Sequence, residues 1–287
     1  ASKRTTLAMS QLAAGKTDVA IDALQDIAAG DAGVSADLAL INTHLRMRKI
    51  DDALKAIDAL EKKRPSDPLP WQLRGRALLL RNDVAGARQA FERAQTINPD
   101  YFAATAALAA LDMAARQPDK ARERLQAVID RNPKNVQALL AMAEVQSASN
   151  AAPDDVAALL RKAVEAAPTD RQPRVALIEH YLRRNDPKTA LTEAQGAAAA
   201  MPDAPEVLDA LGRAQQANGE LNQAMASFGK LQGLMPSSPM PLLRLANAQV
   251  ANKDLPAAMQ SLRKALDMQP DLLPAQRGLV ELAVRSN

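Results

Sequence analysis

The sequence predicts an all-α fold, a solenoid of helical hairpins stacked one after another along the whole chain. Three observations carry this: an apolar composition made mostly of Ala and Leu, a proline that returns every 34 or 35 residues, and a ladder of apolar residues in step with it. Of the 287 residues 47% are hydrophobic, yet the aromatics amount to 3 Phe, 2 Tyr and 1 Trp. Ala and Leu favour helix strongly. No segment alternates for long at the period of two that a half-buried strand needs, so no sheet is expected.

The prolines are Pro65, Pro99, Pro133, Pro168, Pro202, Pro236 and Pro270. Twelve residues upstream of each stands Ala53, Ala87, Ala121, Val156, Ala190, Ala224 or Ala258. Four residues further on come Ile57, Phe91, Leu125, Leu160, Ala194, Phe228 and Leu262, and three beyond those Leu60, Ala94, Val128, Ala163, Ala197, Leu231 and Ala265. Offsets of four and seven mark one helix face. Each period therefore reads as two helices joined by a polar turn such as Arg81-Asn82-Asp83, Asn185-Asp186-Pro187, Asn218-Gly219-Glu220 or Asn252-Lys253-Asp254. The proline lacks an amide hydrogen and restricts its predecessor, so it ends the second helix and opens the turn into the next unit. One hairpin cannot bury its apolar face alone; stacked neighbours can. The single extra residue of the fifth period is placed in the inter-helix turn, within 149–155.

Charge and residue types exclude several functions. The 36 basic and 33 acidic residues leave a formal charge of +3 spread along the chain, too weak for a nucleic-acid footprint. No run of apolar residues is long enough to span a membrane, and residues 1–4 open nothing like a signal peptide. Without Cys there is neither a disulfide nor a thiolate. Its absence fits a periplasmic protein. His44 and His180 stand four repeats apart without a second His or Cys nearby, so no metal site is expected, and each is read as partly buried or facing a groove. No phosphate-cradling, nucleophile-elbow or zinc-protease motif occurs, and no cofactor is expected. The pairs Asp51-Asp52 and Asp154-Asp155 are read as turn residues that cap the following helix. Trp71, Phe91 and Phe228 occupy core positions of the repeat, and the methionines, Met113, Met142, Met201, Met235 and Met268 among them, are read as gap fillers.

Period and ladder resemble the tetratricopeptide repeat. The best copy spans 68–101, with Trp71, Gly75, Ala87, Phe91, Ala94 and Pro99. A small residue is expected where the two helices cross, as at Gly75, Ala109, Ala143, Gly212 and Ala246; Ile41 and Ile178 depart from it. The resemblance implies a single right-handed superhelical solenoid over 1–287, with repeats at about 1–33, 34–67, 68–101, 102–135, 136–170, 171–204, 205–238 and 239–272 and a capping helix over 273–286. A narrower likeness lies in Asn98-Pro99-Asp100-Tyr101-Phe102, in 108–112, in 132–140 and in Leu242-Leu243-Arg244-Leu245-Ala246. These stretches resemble the repeat lipoproteins of exosortase (PEP-CTERM) systems, which accompany exopolysaccharide production. That family is longer, exported and anchored through an N-terminal lipidated Cys, so the likeness implies an internal fragment with its anchor upstream and a periplasmic place, the alternative being cytoplasmic.

In the repeat family the first helices line the concave face. The residue after the crossing position then carries Asn42, Arg76, Ala110, Glu144, Glu179, Arg213, Asn247 and Glu281, and one turn earlier Leu38, Gln72, Ala106, Leu140, Val175, Asp209 and Leu243. The partner-binding residues expected from this are Asn42, Gln72, Arg76, Ala106, Ala110, Glu144, Glu179, Asp209, Arg213 and Asn247: isolated charges beside an apolar floor near Ala103, Ala106 and Ala110, suited to an extended peptide or a partner helix. Family members that clamp a C-terminal carboxylate would need Lys at the places of Leu38 and Ala106, so that mode is not expected, although Asn42 matches. The reading is a non-enzymatic scaffold for a protein or peptide partner in the cell envelope. Other readings are a helical-repeat nucleic-acid binder, a cytoplasmic adaptor, and an enzyme using Glu144 and Glu179, about 10 Å apart on neighbouring repeats at usual helix spacing.

Overall fold

A computed structural model describes residues 2–30 and 33–286; Ala1, Asp31 and Ala32 of the first expected repeat lie outside the described residues. Among the described residues there are seventeen helices and no strand. They form two compact units, Ala1–Pro133 and Lys134–Asn287. The first holds the hairpins α1 (Ser2–Ala13) and α2 (Thr17–Gly30), α3 (Ser35–Arg46) and α4 (Ile50–Lys63), α5 (Leu69–Leu80) and α6 (Val84–Ile97), and α7 (Phe102–Ala114) and α8 (Pro118–Arg131). The second holds α9 (Val136–Ala148) and α10 (Pro153–Ala166), α11 (Arg171–Arg183) and α12 (Pro187–Ala200), α13 (Pro205–Ala217) and α14 (Leu221–Leu234), α15 (Met240–Ala251) and α16 (Leu255–Met268), with α17 (Leu273–Ser286) last.

Two kinds of turn alternate, and each follows from its residues. Before every repeat proline the second helix stops at a residue pushed toward extended backbone, as the pyrrolidine ring requires: Arg64, Asn98, Asn132, Ala167, Met201, Met235 and Gln269 all have φ between −124° and −143°. Within each hairpin the turn has its second residue in the left-handed region: Gly15, Arg48, Asn82, Arg116, Asn150, Asn185, Gly219 and Lys253, with φ from 55° to 83°. Asn and Gly tolerate this conformation; Arg48, Arg116 and Lys253 hold it against their Cβ sterics. The extra residue of the fifth period lies in the turn between α9 and α10, as expected, leaving the helix faces in register.

Capping differs from expectation. Asp51 and Asp52 lie inside the first turn of α4, and Asp154 and Asp155 inside that of α10; Lys49 and Ala152 occupy the N-cap positions and give no side-chain cap bond. From inside the first turn the acidic pairs still complement the positive end of the helix. The side chains that do cap are Asp83, Asn135, Asp170, Asp186 and Asp254.

In six hairpins the crossing pair trades size between its two helices; the α3–α4 pair, Ile41 with Ile57, does not. Gly75 faces Phe91 and Gly212 faces Phe228, and a methyl group added to either glycine would overlap the phenyl ring. Ala109, Ala143 and Ala246 are matched with Leu125, Leu160 and Leu262, all buried. Ile178, which departs from the small-residue rule, is paired with Ala194 in the same core cluster, so the bulk has moved to the other helix. Ile41 and Ile57 share another cluster. Phe91 and Phe228 are fully buried as expected, but Trp71 is only half-buried, its ring bordered by the guanidinium groups of Arg74 and Arg93 at 5.1 and 6.0 Å from the ring centre. Met142 fills the core, whereas Met235 and Met268 end second helices in solvent. Gly75→Ala is expected to cost about 1–3 kcal/mol by overpacking. Adding Phe91→Leu should make the double variant more stable than Gly75→Ala alone, because it recreates the Ala–Leu crossing. Urea midpoints of the three proteins check this; a double variant weaker than the single would remove the size rule.

Candidate functional site

The first helices of neighbouring hairpins in the second unit touch one another, α9 with α11 and α11 with α13. A stripe of α9 and a stripe of α11 wall a cleft of about 460 Å3. Leu140, Ala143, Glu144, Ser147 and Ala148 come from α9, and Gln172, Ala176, Glu179 and Arg183 from α11, at the four- and seven-residue intervals of one helix face. Val156 and Leu160 of α10 line it as well.

One wall of this cleft continues into a network of ions. Arg213 of α13 grips both carboxylate oxygens of Glu179 on α11, Nη2 lying 2.9 Å from Oε2, and stands 3.7 Å from Asp209. Asp209 in turn accepts from Arg244 of α15, at 2.7 Å from Nε and 3.3 Å from Nη2. Burial works against the Arg213 charge, but the Glu179 bond and the charges of Glu179 and Asp209 outweigh it and raise its pKa. Bidentate, half-buried pairs of this kind are geometrically demanding and stronger than exposed ones. Three of the expected charges, Glu179, Asp209 and Arg213, are thus joined in a ladder across three successive first helices, and Arg244, absent from the expected set, is part of it. The reason is spacing: partners 34 or 35 residues apart fall on adjacent helices at the same height. Arg213, Arg244 and Asn247 also line a second cleft, of about 410 Å3, with Leu182, Gln216, Ala217 and Ala251.

The remaining expected residues are in the first unit. Asn42, Arg76 and Ala110 are exposed on α3, α5 and α7, and Gln72 and Ala106 are half-buried on α5 and α7.

A recurring polar latch escaped sequence reasoning. Asp112 is fully buried at the end of α7, with Oδ1 2.7 Å from Arg88 and Oδ2 2.6 Å from Arg124. The same station on α13 carries Gln215, which accepts from Ser227, and on α15 Gln249, which accepts from Ser261. In all three hairpins the partner on the second helix is twelve residues on, a signal a search for polar pairs at fixed offset would find. Burial raises the Asp112 carboxyl, yet the bonds and charges of Arg124 and Arg88 together hold it below its ordinary value. His44 occupies the matching station on α3 and is buried, as is His180; His44 also lines a cleft of about 250 Å3 with residues of α2 and α4. Burial foremost lowers both imidazoles. Among the described residues no group of three His, Asp or Glu is placed to hold a metal.

Two family models described as tetratricopeptide repeat match the sequence, one over residues 38–102 and 206–272 and the other over 78–145, together more than half of the chain. The chain belongs to the tetratricopeptide repeat family. The structure of yeast Tom70 is similar with a TM-score of 0.65 at 14% identity, over 93% of this chain and 59% of that one. A chain of the APC/C hetero-tetramer Cut9-Hcn1 gives 0.55 at 14%, over 92% and 52%, so this chain spans only a little over half the length of either. The C-terminal part of a repeat-containing protein from Cytophaga hutchinsonii gives 0.56 at 17%, over 83% and 98%. At such identities the likeness is one of fold. No curated protein matches the sequence. Among the described residues no helix is long and apolar enough to cross a membrane.

The buried titratable groups set a pH dependence of stability. A histidine whose folded pKa lies below its unfolded 6.5 takes up a proton more readily when unfolded, so stability falls as pH drops below about 6.5. The depressed Asp112 contributes stability that is complete above its unfolded pKa of about 3.9 and lost below it. His44→Asn with His180→Asn should flatten the first decline and Asp112→Asn the second, the latter at a cost of about 3–5 kcal/mol at neutral pH for leaving two arginines unpaired. Chemical denaturation across pH checks this, and unchanged slopes in both variants would contradict it.

Proposed function

We propose that the chain is a non-enzymatic scaffold that holds a protein or peptide partner on the first-helix face of its second unit. The observation that carries this is the α9–α11 cleft, apolar along Leu140, Ala143, Val156, Leu160 and Ala176 and edged by Glu144, Glu179, Gln172 and Arg183. An apolar trough between two helices with polar groups at its rim suits a helical or extended segment, which buries side chains and fixes register through the rim. Tetratricopeptide repeat proteins bind such partners. The acid and base roles once open to Glu144 and Glu179 find little support, since both oxygens of Glu179 are taken by Arg213.

The setting belongs to the same reading. The stretches 98–102, 108–112, 132–140 and 242–246 resemble the repeat lipoproteins of exosortase systems, which points to the periplasmic side of a bacterial envelope, to exopolysaccharide production and to a lipid anchor carried elsewhere in a longer chain. The remaining expected residues, Asn42, Gln72, Arg76, Ala106 and Ala110, offer a second stretch of the same kind of face in the first unit.

Ala176→Trp fills the cleft while leaving every charged group of the ion ladder in the sequence. Partners captured from envelope extract by the parent should be lost with this variant, while its helical circular dichroism and unfolding midpoint stay close to the parent's. Equal recovery by both proteins would move the binding face elsewhere, and capture from the cytoplasmic fraction alone would overturn the envelope setting.

A further inference from the structure

The two acids of the α9–α11 cleft are not equivalent. Glu179 is neutralised, both oxygens held by Arg213, which also faces Asp209. Glu144 is exposed on the opposite wall, one turn from Leu140 and one from Ala148 along α9. Arg183 stands a turn beyond Glu179 on α11 and is exposed too. Midway along an otherwise apolar trough, then, the carboxylate available to a ligand is that of Glu144, and the cation of Arg213 is already spent. An incoming acidic side chain would meet Glu144 and the occupied Glu179 at the same height; an incoming Lys or Arg would meet a carboxylate and place its methylenes against Ala143 and Ala176.

Resting on the scaffold reading of this cleft, we propose that its occupant is a partner segment carrying one Lys or Arg flanked on both sides by aliphatic residues, with Glu144 as the residue that selects it. Arg183, at the end of α11, favours an acidic residue or the negative end of a partner helix toward the C-terminal ends of α9 and α11. Glu179 acts at one remove: it keeps Arg213 from presenting a free cation to the cleft, and is a positioning residue.

The test uses the full chain and two fluorescently labelled peptides that alternate Leu and Ala around one central residue, Lys in the first and Glu in the second. The Lys peptide should bind more tightly by roughly two- to fivefold at low salt, the range of an exposed ion pair, with the preference fading as salt is added. Glu144→Gln should abolish the preference and Glu144→Lys reverse it, with no change in unfolding midpoint. Glu179→Gln, by contrast, should weaken the Lys peptide and lower the midpoint, because it releases Arg213. No binding of the Lys peptide, equal affinity for both peptides in the parent, or a preference that survives Glu144→Lys each overturns the selectivity. Undiminished binding of the Lys peptide to Ala176→Trp overturns instead the cleft reading on which it rests.

Discussion

Everything in this chain depends on one crossing per hairpin, where a first-helix residue and a second-helix residue fill a shared volume. Gly with Phe, Ala with Leu and Ile with Ala are three solutions of the same constraint, and each keeps the two helices close enough to present one joint apolar face. That face is too large for a single hairpin to hide, so hairpins stack, and stability comes from nearest-neighbour contacts. The polar latches at the ends of α7, α13 and α15 hold the second end of the same hairpins. Asp112 does so at the highest stakes, since its carboxylate is buried and survives only because two arginines reach it.

This division of labour leaves the outward face of the first helices free of packing duties, and there the residues vary from repeat to repeat. In the second unit the variation produces the α9–α11 cleft and, beside it, the ladder from Glu179 through Arg213 and Asp209 to Arg244. The ladder ties α11, α13 and α15 together on the same side that the cleft opens. On the α11 wall of the proposed binding cleft Glu179 is already committed to Arg213, so that side chain has no rotamers left to freeze when a segment docks.

Almost all of the fold was legible in the sequence, because a period of 34 repeats the same physical instruction until coincidence is excluded. Helix pairs, the proline stop, the size pattern at Gly75 and Phe91 and the place of the extra residue in the α9–α10 turn all follow from local chemistry plus register. What was not legible lies between repeats. Glu179 and Arg213 look like independent solvated charges until two helices place them side by side, and Arg244 carries no mark in its own repeat. His44 and His180, left open between burial and a groove, are buried near the ends of their first helices. Trp71 sits at a core position of the repeat pattern, yet it is only half-buried, with two arginine side chains beside its ring.

Native-state hydrogen exchange on the parent and Leu125→Ala tests most directly whether neighbouring contacts carry stability. With nearest-neighbour coupling, the cavity at Leu125 should speed exchange in α5–α8 and leave α13–α16 at parental protection. A uniform loss of protection through α16 would mean that the chain opens as one cooperative body, and would contradict stability carried hairpin by hairpin.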